Sequence, residues 1–144
     1  MATHVRDLMT ASPITVRPGD PLRAAADLLA AHGVTALPVV DERGRVVGVL
    51  SEADLLGPGS GSGAGDLAGT VGDAMSSVVV LVHPETDVAT LRRVLVDRLV
   101  KSLPVVDAAD QVVGVVSRSD VVRAMVHGRD GPPVSRAAPT PDRR

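Results

Sequence analysis

Two hydrophobic patterns alternate along this chain. Leu22, Ala25, Ala26 and Leu29 recur at the spacing of one helical face, and Val88, Leu91, Leu95 and Leu99 form a second such stripe. After each stripe come short, Val-rich runs bounded by polar residues, Ala36–Val40 and Val46–Leu50 in the first instance, which is the pattern of strands. The turn Asp41-Glu-Arg-Gly44 between them carries Gly where a tight reversal can use it. A shorter strand is expected at Ile14–Val16, ended by Pro18. Asp20 is the expected N-cap of the first helix, with Pro21 at its first position and Gly33 at its end; Thr86 is the expected cap of the second helix. Closing helices are expected after Ser51 and after Ser117, the latter running to about His127.

The two patterns are copies of each other. Displaced by 66 positions, residues 5–56 fall on 71–122 without a gap. Leu37-Pro-Val-Val-Asp41 meets Leu103-Pro-Val-Val-Asp107, and Val46-Val-Gly-Val-Leu-Ser51 meets Val112-Val-Gly-Val-Val-Ser117. Each copy reads as β-α-β-β-α. A unit of roughly 50 residues buries little surface alone. The fold class is therefore α/β (α+β), with the two motifs packed through their sheets about a pseudo-two-fold axis. The organisation predicted is motif one over 1–56, a Gly/Ser-rich linker over 57–70, motif two over 71–127, and a disordered tail over 128–144.

Composition narrows the function. Among 144 residues there is no Cys, Phe, Trp or Tyr. Disulfides, thiol nucleophiles and zinc–cysteine sites are excluded, and so is a stacking platform for nucleic-acid bases. The net charge is −2, and the body before the +2 tail is near −4, so no basic footprint for a phosphate backbone exists. The apolar run 78–82 is far short of the ~20 residues that span a bilayer, and the N-terminus has no apolar leader segment. The expectation is a cytoplasmic protein with neither a nucleic-acid nor a membrane partner.

The ordered set Val5-Arg-Asp-Leu-Met-Thr10, Val16 with Pro18, Leu37-Pro-Val-Val-Asp41 and Val47-Gly-Val-Leu-Ser-Glu-Ala-Asp54 resembles the CBS (cystathionine-β-synthase) domain. Val71-Gly-Asp-Ala-Met-Ser76, Leu103-Pro-Val-Val-Asp107 and Val113-Gly-Val-Val-Ser-Arg-Ser-Asp120 resemble it again, so the likeness covers about 5–127. It implies a stand-alone tandem pair, or Bateman module, that often pairs again as a homodimer. It also implies an adenosine-containing ligand (AMP, ADP, ATP, S-adenosylmethionine, NAD or a cyclic dinucleotide) held in one or two clefts between the motifs. Occupancy would then signal to a regulated partner, whose identity the sequence does not supply.

Candidate site residues carry two readings each. Ser51-x-x-Asp54 and Ser117-x-x-Asp120 fit a helix-capping box. The same geometry offers phosphate the free N–H groups of a helix start and a Ser hydroxyl, while the carboxylate can accept from ribose hydroxyls. The resemblance implies ribose on Asp54 and Asp120, and phosphate on Ser51 and Ser117. Lys101, the sole lysine, stands where the resemblance implies a basic phosphate contact; its counterpart is the uncharged Thr35, so the two clefts are expected to differ. Thr10 and Ser76 offer loop hydroxyls. Ile14, Thr15, Val80 and Leu81 can flank an adenine or simply fill the core. The four His residues lack metal-ligand spacing, so no metal site is expected, and Mg would arrive only with a nucleotide. No nucleophile with base and orienting acid is recognisable, so neither catalysis nor a catalytic cofactor is expected. The competing reading is a ligand-free scaffold module whose Ser-x-x-Asp motifs are caps alone.

Overall fold

Each repeat contributes one antiparallel strand pair, and the pairs have the same register. The computed structural model describes residues 3–56, 67–77 and 79–130, the last three as backbone. In order, a 3-10 turn (Val5–Asp7) is followed by β1 (Thr10–Ala11), α1 (Leu22–His32), β2 (Ala36–Val40), β3 (Val46–Ser51) and α2 (Glu52–Leu56). The second repeat gives α3 (Val71–Ala74), α4 (Val88–Arg98), β4 (Ser102–Val106), β5 (Val112–Ser117) and α5 (Arg118–Asp130). Leu37 pairs with Leu50 and Val39 with Gly48; Leu103 with Val116 and Val105 with Gly114 follow suit. Leu37–Val40 and Leu103–Val106 are buried at every position, as strands covered on both faces are. The left-handed position of the tight turn is Gly44 (φ +81°) in one repeat and Asp110 (φ +65°) in the other. In both, the leading aspartate accepts from two turn amides, Asp41 from Arg43 and Arg45, Asp107 from Ala109 and Gln111.

The helix stripes hold with local corrections. Leu22, Ala25 and Leu29 are buried on α1, and Leu91 and Leu95 on α4. Leu99 leaves the stripe: at φ +55° it takes the left-handed C-cap position that Gly33 (φ +64°) fills in the first copy, and it is 80% exposed. Asp20 and Thr86 are not the helix caps. Their side chains instead accept from the amides of Arg17 and His83, three residues earlier, closing the turn before each helix. The caps are Pro21, which has no side-chain acceptor, and Asp87, which accepts from the Thr90 amide at 2.7 Å. The strand expected at Ile14–Val16 reduces to a single parallel bridge from Val16 to Val39, repeated by Val82 and Val105. The expectations for 57–66 and 131–144 lie outside the described residues.

The repeats are interlocked through their opening segments. The Val5 and Arg6 amides donate to the carbonyls of Thr86 and Pro84, and the Val71 and Gly72 amides donate to Asp20 and Pro18. Val5 accordingly lies in the core of the second repeat with Leu91, Leu103 and Val116, while Val71 lies in that of the first with Leu22, Leu37 and Leu50. The sheets meet through two reciprocal bonds, Val46 N–H to Asp110 C=O and Val112 N–H to Gly44 C=O, both 3.1 Å. Each of these pairs maps onto its mate by the same offset of 66, so the halves pack with pseudo-two-fold symmetry.

Candidate functional site

Two glycines decide where the site can form. After its Met, each repeat's chain crosses to the other repeat's sheet: β1 pairs with β5, placing Thr10 opposite Val115, and Ser76 bridges to Val49. Close approach is possible because Gly114 and Gly48 face the crossing chain. A Cβ on Gly114 would lie 2.9 Å from the Thr10 carbonyl oxygen, and one on Gly48 would lie 2.8 Å from that of Ser76. Ser12, with φ +54°, then turns the chain toward Ile14.

This crossing completes a cavity of about 460 Å³ between the repeats, within the usual size range of small-molecule sites. Thr10 and Ile14 line it from one side, Thr35 from the approach to β2, Lys101 from the approach to β4, and Ser117 and Asp120 from the start of α5. The segment before each central strand is tied to a helix start, because Thr35 C=O accepts from Glu52 N–H and Lys101 C=O from Arg118 N–H. Six of the twelve sequence candidates thus share one space. Ser51, Asp54, Ser76, Val80, Leu81 and Thr15 are not on its wall. Val80 packs against the core of the second repeat, and Thr15 and Leu81 are half-buried.

Both Ser-x-x-Asp motifs are built as capping boxes. Asp120 Oδ2 accepts from the Ser117 amide (2.8 Å) and hydroxyl (3.0 Å), while Ser117 Oγ accepts from the Asp120 amide (3.2 Å). Asp54 and Ser51 repeat this at 2.8, 3.0 and 3.3 Å. The two carboxylates differ at the other oxygen. Asp120 Oδ1 holds Arg123 at 2.6 Å with only 13% of the Asp120 side chain exposed, whereas no bond to Asp54 Oδ1 occurs among the described residues.

Three cations face the cavity: Lys101, Arg118 and Arg123. Arg118 is steadied by an Nε bond to the Val100 carbonyl. Sequence reasoning missed Arg118, Ser119 and Arg123. The first two are the unspecified positions inside Ser-x-x-Asp, and Arg123 is one helical turn beyond Asp120, so i,i+3 spacing was the available signal. The carboxylates held below their ordinary value lie elsewhere: Asp41 chiefly by the Arg45 amide, Asp87 by the Thr90 side chain and amide, and Asp7 by the Thr3 amide. Among the described residues no group of three potential metal ligands occurs, and no helix is long and apolar enough to cross a membrane.

The family model for the CBS domain matches residues 5–58 and again 71–127. The chloroplastic CBS domain-containing protein CBSX1 of Arabidopsis thaliana is 29% identical over 135 residues, covering 76% of this chain and 57% of that protein. The chain thus spans little more than half the length of this relative. The crystal structure of CBSX2 in complex with AMP matches with a TM-score of 0.78 at 31% identity, over 86% of this chain and 97% of that one. A CBS domain pair in complex with 5′-methylthioadenosine and S-adenosyl-L-methionine matches with a TM-score of 0.76 at 28% identity, over 90% and 99%.

Proposed function

The chain belongs to the CBS-domain family, and from that premise we propose that it is a non-catalytic regulatory module that senses an adenosine-containing ligand in the cavity between its repeats. The observation that carries this is convergence. A helix start with a Ser hydroxyl and a carboxylate, three cations, and the aliphatic wall of Ile14 and Val34 meet in one space although they come from segments far apart in sequence. In the proposed pose phosphate takes Lys101 and the Ser119 amide, since the Arg118 and Asp120 amides are already bonded, and it takes the Ser117 hydroxyl once that hydroxyl turns from Asp120. Ribose takes Asp120, and adenine lies against Ile14 with Thr10 beside it. The chain has no Phe, Trp or Tyr and no His lines the cavity, so no ring there stacks on the base and affinity rests on the ribose and phosphate contacts. In the pseudo-equivalent position Asp54 and Ser51 form the weaker candidate, with Thr35 in place of Lys101.

The cavity walls belong to both repeats, so a bound ligand favours whichever relative placement of the repeats fits it. A partner that distinguishes the placements reads the occupancy. We also propose that the module pairs with a second copy of itself. Val96 and Leu99 at the end of α4, and Val122, Met125 and Val126 on α5, are between 45% and 80% exposed. Helical apolar surface of this kind marks association sites.

The test is thermal unfolding followed by circular dichroism in the presence of AMP, ADP, ATP, S-adenosylmethionine, NAD or cyclic di-AMP. A ligand at 100 times its dissociation constant adds about 2.7 kcal/mol, which raises the midpoint by roughly 5–10 °C for a chain of this size. No shift with any of them at millimolar concentration favours the scaffold reading, which the closed capping boxes at Ser51 and Ser117 independently support.

A further inference from the structure

The start of α5 carries charge that its counterpart in the first repeat lacks, and the difference comes from residues outside the shared motif. Under the offset of 66, Arg118 corresponds to Glu52, Arg123 to Gly57 and Lys101 to Thr35. In sequence, therefore, three cations of the second repeat stand against one carboxylate and two uncharged residues of the first, and Thr35 lines the same cavity as the three cations. The carboxylates differ in the same sense. An ionised carboxylate offers about four lone-pair positions. Asp120 has committed three, two to Ser117 and one to Arg123. Asp54 has committed two, both to Ser51.

We propose that Arg123 is a specificity-determining residue that makes the α5 cavity select anionic adenosine ligands over neutral or cationic ones. This rests on the sensor reading above. With the cavity empty, Arg123 neutralises Asp120 and occupies the oxygen that ribose needs. A ligand carrying phosphate gives the guanidinium another anion, so Arg123 leaves Asp120 for phosphate, and Oδ1 is freed for a ribose hydroxyl. Because the Arg123 side chain is 52% exposed, it can move without disturbing the core. A neutral nucleoside must break the same ion pair with nothing to receive Arg123. A sulfonium ligand, in addition, brings a positive charge beside Lys101, Arg118 and Arg123.

Calorimetric titration of the full chain with adenosine, AMP, ADP and S-adenosylmethionine tests this, using the parent and Arg123→Gln. The parent is expected to bind ADP and AMP at least tenfold more tightly than adenosine, with S-adenosylmethionine the weakest. In Arg123→Gln the phosphorylated ligands lose about tenfold, the scale of one charge-assisted hydrogen bond. Adenosine gains, because Asp120 Oδ1 no longer has a competitor. A merely structural role for Arg123 would weaken all four ligands in parallel, and that result overturns the inference while leaving the sensor reading intact. An unchanged AMP-to-adenosine ratio does the same. If the parent binds none of the four, the sensor reading fails and the inference with it. Unfolding midpoints of both proteins, taken by circular dichroism, separate a change in affinity from a loss of fold.

Discussion

Gly114→Ala isolates the contact on which the cavity depends. Gly114 does not adopt a left-handed φ, so the backbone tolerates alanine there, and a loss of unfolded-state entropy would on its own stabilise the variant by about 0.4–1 kcal/mol. The contacts oppose this. The new Cβ would lie 2.8 Å from Met9 Sδ and 2.9 Å from the Thr10 carbonyl oxygen. The thioether can swing aside. The carbonyl belongs to β1, which can retreat only by giving up its pairing with β5. Overpacking of this kind costs about 1–3 kcal/mol, and each hydrogen bond lost adds about 1 kcal/mol. Together they exceed the entropic gain, for a net loss of about 1–3 kcal/mol and a fall in midpoint of roughly 3–10 °C by circular dichroism. Gly19→Ala is the control, since nothing lies within 4 Å of a Cβ there. Should Gly114→Ala prove as stable as Gly19→Ala, the glycine is not what admits the crossing chain, and the account of how the cavity forms is wrong.

Three further outcomes follow from particular side chains. Asp7, Asp41 and Asp87 all titrate below the ordinary aspartate value of 3.8 in the folded chain. Their contribution to stability is therefore complete above 3.8 and is lost as pH falls through the lower folded values; an acid titration of Asp41→Asn should show a shallower loss than the parent, and an identical one refutes this. Ser51→Ala removes a capping hydroxyl without touching the cavity wall, so it should lower stability by ~1 kcal/mol in urea unfolding and leave the affinity at the α5 cavity in place; a selective loss of that affinity would show the wrong assignment of sites. Val122→Asp should shift sedimentation equilibrium from dimer toward monomer at the same loading, whereas an unchanged mass removes this face of α5 from the proposed pairing.

Much of this architecture is legible in the residues because it is local or repeated. The register of Leu37-Pro-Val-Val and Val46-Val-Gly-Val with their copies gives all four main strands, and the buried α1 stripe follows from the spacing of Leu22, Ala25 and Leu29. What escaped is tertiary. Asp20 and Thr86 carry good capping groups, yet the turns before the helices claim them, because the opening segment of the other repeat docks there and fixes the chain direction. Leu99 matches the stripe in sequence but falls where α4 must end, and its φ is set by that ending. The sequence places Thr10 in a loop; only the glycines at 48 and 114, read as points of close approach, hint that each loop crosses to the opposite sheet. In the candidate site, Ser117, Asp120 and Lys101 stand on repeated or singular features. Arg118 and Arg123 do not, because a cation beside a motif is also what any solvated helix face shows. Arg123 stands out only through its 2.6 Å contact with Asp120, and Arg118 only through its place on the cavity wall.

The central claim is that the cavity at the start of α5 holds an adenosine ligand through Asp120. Direct titration with AMP of the parent, Asp120→Ala and Asp54→Ala tests it, with folding of each verified by circular dichroism. The account predicts binding by the parent, at least a tenfold loss in Asp120→Ala, and retention of that binding event in Asp54→Ala. Equal affinity in the parent and Asp120→Ala, or no binding by the parent at millimolar AMP, contradicts it.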